Sequence, residues 1–117
     1  MTEKGKFIQK FNEAFAKSDT EYLSNNVTDD VHWTMHGDFA VRGKKAFIEA
    51  LNQMEADEPF ELTIKNIITH GNTAAVDGTM KTPSGNKTYA FCDVYKFNGF
   101  KNPKIKEMTS YVLEVKE

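Results

Sequence analysis

The sequence predicts an α+β domain in which three N-terminal helices pack on one face of a strongly curved antiparallel sheet. Three observations predict it. Apolar residues recur mainly at spacings of three and four before Pro59 and at spacings of two after it. The links after Pro59 are short and turn-forming, which favours antiparallel neighbours. Gly78 stands inside a strand pattern, where it marks a bulge or bend of the kind a strongly curved sheet needs.

From Thr2 to Lys17, Phe7, Ile8, Phe11, Ala14 and Phe15 form the apolar stripe of an amphipathic helix. Ser18 opens SDTE, a capping box that starts a second short helix through Tyr22 and Leu23. Val31, Trp33 and Met35 alternate with His32, Thr34 and His36 as a short strand, followed by the loop GDFAVRG. Gly43 caps a third helix with Phe47, Ile48, Leu51 and Met54 on one face, ended by EADEP. Four strands follow. Leu62, Ile64 and Ile68 mark the first, Ala74 to Met80 the second, residues 87–98 the third and Lys104 to Val115 the fourth; HGN, TPSGN and NGFKNP join them.

The 117 residues suit a single domain, 1–117, that buries roughly two thirds of its unfolded surface around one core. Fifteen basic against seventeen acidic residues leave a net charge of −2, and Arg42 is the only arginine. A nucleic-acid partner is therefore not expected, since neither a basic field nor bidentate arginine contacts are available. The charged N-terminal stretch has no continuous apolar run, so neither a signal peptide nor a membrane association is expected. Cys92 is the lone cysteine and falls in a strand, which fits a reducing compartment and a cytoplasmic location. No glycine-rich phosphate loop, serine elbow or CxxC motif occurs, so no cofactor is expected.

The order of elements, with SDTEYL, VHWTMHG, RGKKAFIEAL and four long strands, resembles the nuclear transport factor 2-like superfamily and its SnoaL-like branch. The best local matches are DDVHW followed by RG, and FCDVYKFNGF followed by KIKEMTSYVL. The resemblance covers nearly the whole chain and implies a cone-shaped pocket between sheet and helices, usually in a dimer. Members of the superfamily include isomerases, cyclases, hydrolases and purely binding modules. The steroid isomerases among them use an acid on the strand that matches CDVYKF as part of an oxyanion hole, and Asp93 falls on it. Phe11 stands where they carry a tyrosine, and Met35 at or beside their general-base aspartate. Isomerisation by that mechanism is therefore not expected here.

Read from the residues, Asp93 is the first candidate for a catalytic group. In YAFCDVYKF, alternation puts it on one face with Tyr89, Phe91, Tyr95 and Phe97. A carboxylate there must be paired, hydrogen-bonded, protonated or turned to a cavity. Either its pKa rises and it serves as a general acid or base, or it hydrogen-bonds a Tyr or Trp and only orients the core. His36 is the second candidate: either a proton-transfer partner of Asp93 across the cavity, or an exposed histidine at a strand end.

Trp33, Tyr22, Tyr95, Phe15, Phe91 and Met108 are the candidate ligand-binding walls, suited to a flat or hydrophobic molecule. No metal is expected, because four residues of strand separate His32 from His36 by roughly 13 Å, against ligand distances of about 2 Å. Epoxide hydrolases of this superfamily use an Asp, Arg, Asp arrangement around a water, but Asp38 and Arg42 lie in one polar loop, so a surface ion pair worth little is expected of them. Alternate positions such as Cys92 and Val94 leave the outer sheet face apolar, which points to a homodimer through that face. The expected function is binding of a hydrophobic or aromatic small molecule in an internal pocket. With it comes either cofactor-free acid/base catalysis of isomerase, cyclase or hydrolase type, or a non-catalytic binding or dimerisation role.

Overall fold

A computed structural model describes residues 1–99 and 101–116 of the chain. In order these form α1 (Glu3–Ala16), α2 (Thr20–Asn25), β1 (Val27–Met35), β2 (Phe39–Arg42), α3 (Lys44–Gln53), β3 (Glu61–His70), β4 (Thr73–Lys81), β5 (Thr88–Phe97) and β6 (Ile105–Val115). Phe100, in the expected NGFKNP link, lies outside the described residues. The strands make one curved, unclosed sheet in the order β2-β1-β6-β5-β4-β3. No helix among the described residues is long and apolar enough to cross a membrane.

The α+β layering holds, with one correction to the topology. Strands β3 to β6 form an antiparallel meander, but β1 pairs parallel with β6, through Trp33 opposite Met108 and Met35 opposite Ser110. Short links predict only the pairing of neighbours in sequence; β1 and β6 are joined by most of the chain, so no local turn fixes their sense. The expected loop GDFAVRG also contains β2, which folds back antiparallel on β1 with Trp33 opposite Val41.

Local chemistry explains the helix ends. Thr2 caps α1 by accepting from the Gly5 N–H at 3.0 Å. The cap of α2 is Asp19, not Ser18: its carboxylate accepts from the Tyr22 N–H at 3.1 Å. Ser18 takes the left-handed backbone (φ 58°) that turns the chain between the two helices. Its hydroxyl accepts instead from the Ala56 N–H at 3.3 Å, tying this corner to the segment after α3.

The bend of the sheet comes from β3. A bulge between Ile64 and Asn66 shifts the alternation, so Ile67 packs inward while Ile68 turns out and is 63% exposed. Leu62, Ile64 and Ile68 thus lie on one strand as expected, with Ile68 on the side opposite the other two. Gly78 on β4 sits opposite Ile64, where an added Cβ would overlap the Thr63 carbonyl oxygen. The missing side chain is what lets β3 and β4 close at the bulge.

The core lies between the concave sheet face and the helices. Ile8, Phe11, Leu23 and Phe47 from the helices meet Val31, Trp33, Val76, Tyr95 and Phe97 from the strands, all buried. Trp33 is its centre, with ring centroids 5.0 Å from Phe39, 5.4 Å from Phe47 and 6.3 Å from Phe15.

Candidate functional site

The concave face and the helices do not close completely. A cavity of about 380 Å³ remains between them, within the range of small-molecule sites. Strand alternation chooses its walls. On β5, Tyr89, Phe91, Asp93 and Tyr95 face in; on β6, Met108, Ser110 and Val112; on β1, Trp33 and Met35. Phe11, Asn12 and Phe15 come from one face of α1, Leu51 from α3, and Met54 from the C-cap position just after it. Four methionines, Met35, Met54, Met80 and Met108, line the cavity, giving walls that adapt to the shape of an occupant.

Asp93 stands at the meeting point of two hydrogen-bonded relays. In the first, the Asn12 side-chain N–H groups donate to the Ile8 carbonyl at 2.9 Å and to the Tyr95 hydroxyl at 3.1 Å. The Ile8 carbonyl can only accept, so it fixes which end of the amide faces Tyr95. Tyr95 then donates its own proton to Asp93 Oδ2 at 3.1 Å. In the second relay, the Trp33 indole N–H donates to Ser110 Oγ at 3.0 Å, and Ser110 hydrogen-bonds Asp93. Indole N–H is a donor only, so the Ser110 proton is left for the carboxylate.

Both hydroxyls are thus held as donors toward Asp93, and the carboxylate accepts from each. Burial nevertheless dominates and pushes the Asp93 carboxyl up to about 6, while the hydrogen bonds from Ser110 and Tyr95 oppose the rise. Burial, with the Asp93 charge beside it, raises the Tyr95 hydroxyl well above its ordinary value, so the phenol stays protonated near neutral pH. The arrangement is a half-buried carboxylate, poised to change charge near neutral pH, with accepting capacity turned to an apolar cavity.

Trp33, Tyr95, Phe15, Phe91 and Met108 all line this cavity together with Asp93. Tyr22 is not one of the lining residues: it packs half-buried against the core from α2, and burial followed by the nearby Asp19 and Glu13 carboxylates raises its hydroxyl. The expected pairing of His36 with Asp93 across the cavity is corrected. His36 is exposed and stacks on Tyr111 with ring centroids 5.1 Å apart, on the opposite side of the sheet. One residue past the inward Met35, alternation turns it outward.

Asp38 lines the cavity from the turn after β1, whereas Arg42 is exposed opposite His32, and among the described residues the expected Asp38–Arg42 ion pair is not formed. Among the described residues, no three His, Cys, Asp or Glu side chains converge as metal ligands would.

Sequence reasoning did not single out Asn12 and Ser110, both buried polar residues of the relays. A signal for each was present. Asn12 lies four residues after Ile8 on the apolar face of α1, and Ser110 alternates in phase with Met108 and Val112. Buried polar side chains at such positions need partners, and here they find one another through Asp93.

A family model for the SnoaL-like domain matches residues 8–108. Among solved structures, an NTF2-like protein of unknown function from Cytophaga hutchinsonii is 26% identical with a TM-score of 0.71, over 90% of this chain and 95% of that one. A protein described as a SnoaL-like polyketide cyclase from Shewanella putrefaciens is 14% identical with a TM-score of 0.79, covering 96% of this chain and 90% of that one. An LEH-like epoxide hydrolase of M. tuberculosis is 18% identical with a TM-score of 0.73, covering 91% and 79%. No curated protein matches the chain. With the family match running over 8–108 and the helices-on-curved-sheet architecture of these structures, the chain belongs to the SnoaL-like domain family, of NTF2-like fold.

Proposed function

We propose that the chain binds a hydrophobic or aromatic small molecule in its cavity and acts on it by cofactor-free acid/base chemistry, with Asp93 as the base. The observation that carries this is the carboxylate itself: a group at about 6, held as an acceptor by two oriented hydroxyls inside an apolar cavity. A base of that strength is ionised at pH 7 and takes a proton that develops acidity next to a carbonyl. The neighbours described as a polyketide cyclase and an epoxide hydrolase support a small-molecule substrate.

The test is exchange of the α-protons of 2-tetralone, a flat aromatic ketone, followed by NMR in D2O. The protein is expected to accelerate exchange roughly a hundredfold, with a rate that rises as pH passes through about 6 and is lost in Asp93→Asn. Saturable binding of the ketone with no exchange above buffer would instead establish the non-catalytic module. That second reading is favoured by one observation, that both hydrogen bonds to Asp93 come from the chain's own side chains.

A second copy of the chain is proposed as the partner of the outer sheet face. Ile68, Tyr111 and Leu113 are exposed there around a hollow floored by Ala75, Ala90 and Cys92. On this face Lys96 pairs with Glu107 at 3.9 Å and the Asn66 amide donates to Asp77 at 2.9 Å, so the apolar hollow rather than charge is what a second copy covers. Sedimentation is expected to give a dimer for the wild type and a folded monomer for Leu113→Glu; a wild-type monomer at 100 µM or more, on the order of 10⁻⁴ M, overturns it. The half-buried thiol of Cys92, raised by burial and unpaired in a disulfide, supports a cytoplasmic setting.

A further inference from the structure

The charges around the cavity are of one sign. Among the described residues lining it, Asp93 and Asp38 are the only ones that carry a formal charge near neutral pH, and no lysine, arginine or histidine reaches it. From α1, α2 and α3 and from strands β4 and β6, the lining side chains are not ionisable; β5 adds only the phenols of Tyr89 and Tyr95. The two donors that face Asp93, Tyr95 and Ser110, are already directed by Asn12 and Trp33. A carboxylate has about four accepting positions, so two remain for an occupant. Among the described residues, no cationic side chain faces Asp93 from within the cavity.

We propose that the cavity selects an aromatic or aliphatic small molecule whose polar end is a protonated amine, held on Asp93, and discriminates against carboxylates of the same shape. The inference rests on the reading of the cavity as a ligand site and not on its chemistry. An ammonium placed there supplies the charge the carboxylate lacks and uses its free accepting positions. It also lies among aromatic faces, Trp33, Phe15 and Phe91, which attract cations. An anion of equal size meets a like charge in a mostly apolar cavity, with no cationic side chain among the described lining residues to receive it. The body of the molecule is accommodated by the methionine-rich wall, which sets shape loosely while the acid sets charge.

The test compares three probes of one shape: 2-naphthylmethylamine, 2-naphthylmethanol and 2-naphthoate, titrated by NMR against the full chain at pH 7.5 and pH 5. The amine is expected to bind at least about tenfold tighter than the alcohol at pH 7.5, and the carboxylate weakest. At pH 5 the amine stays charged while Asp93 gains its proton, so the amine's advantage shrinks; in Asp93→Asn it falls to near one while the alcohol still binds. If the alcohol binds and the amine is no tighter, or the preference survives in Asp93→Asn, the inference is overturned and the ligand site stands. If no probe binds, the ligand site falls and the inference with it.

Discussion

Trp33→Ala is expected to destabilise the protein by about 4–5 kcal/mol, which places the variant close to unfolding at room temperature for a domain of ordinary stability. Trp33 is 1% exposed and its ring is surrounded by Phe39, Phe47 and Phe15. Truncation removes this packing from the wall between cavity and core, where the neighbours are themselves large rings that cannot collapse into the gap. It also frees the acceptor side of Ser110, which now receives the indole N–H. Trp33→Phe separates the two effects, keeping ring packing and losing the hydrogen bond for about 1–2 kcal/mol. Urea unfolding of both variants checks this. A loss under about 2 kcal/mol for Trp33→Ala would mean that the site gives way around the missing ring and that Trp33 is not the centre of the core.

Asp93→Asn is expected to raise stability at neutral pH. The Asp93 carboxyl lies at about 6 in the folded chain against an ordinary 3.8, so the fold holds its proton more tightly than the unfolded chain does. Between these values the folded state binds more protons. The stabilisation from this group is therefore complete below about 3.8 and is lost as pH rises through about 6. At pH 7.5 the charged form then costs at most roughly 3 kcal/mol, which asparagine does not incur.

Asparagine offers one accepting oxygen where two hydroxyls now donate, and one of them turns to an N–H instead, a loss of about 1 kcal/mol. The net expectation is a gain of about 1–2 kcal/mol at pH 7.5, seen as a melting temperature higher by several degrees. The gain disappears at pH 4, where wild-type Asp93 is mostly neutral. Thermal melts of both proteins across this range decide it. A variant that is less stable at pH 7.5, with the same pH dependence as the wild type, would show that the carboxylate anchors the two relays rather than straining them.

A stable Asp93→Asn protein would also sharpen the functional question, because loss of exchange or of amine preference could not then be laid to unfolding. A strained acid that weakens its own fold is what a functional site of this kind predicts.

Much of this protein is set by its sequence alone. Spacings of three and four build α1 and α3, and alternation in β5 turns Tyr89, Phe91, Asp93 and Tyr95 to one side, whatever the sheet order. Alternation in β1 likewise turns His36 away from the face of Trp33 and Met35, as its stack on Tyr111 bears out. These are one-dimensional properties, fixed by the geometry of helix and strand. The tertiary structure decided what lies opposite them. Only the parallel docking of β1 on β6 brings Trp33 to Ser110, and only the packing of α1 on the concave face brings Asn12 to Tyr95, 83 positions away in sequence. Periodicity reports which face a side chain takes but not which distant residue meets it. The bulge opposite Gly78, which moves Ile68 from core to surface, belongs to the same class, since it is a property of two paired strands and not of either one. Asp93 was thus legible as an acid on an apolar face, whereas its hydrogen-bond partners, its raised pKa and the one-signed cavity around it exist only where the strands and helices meet.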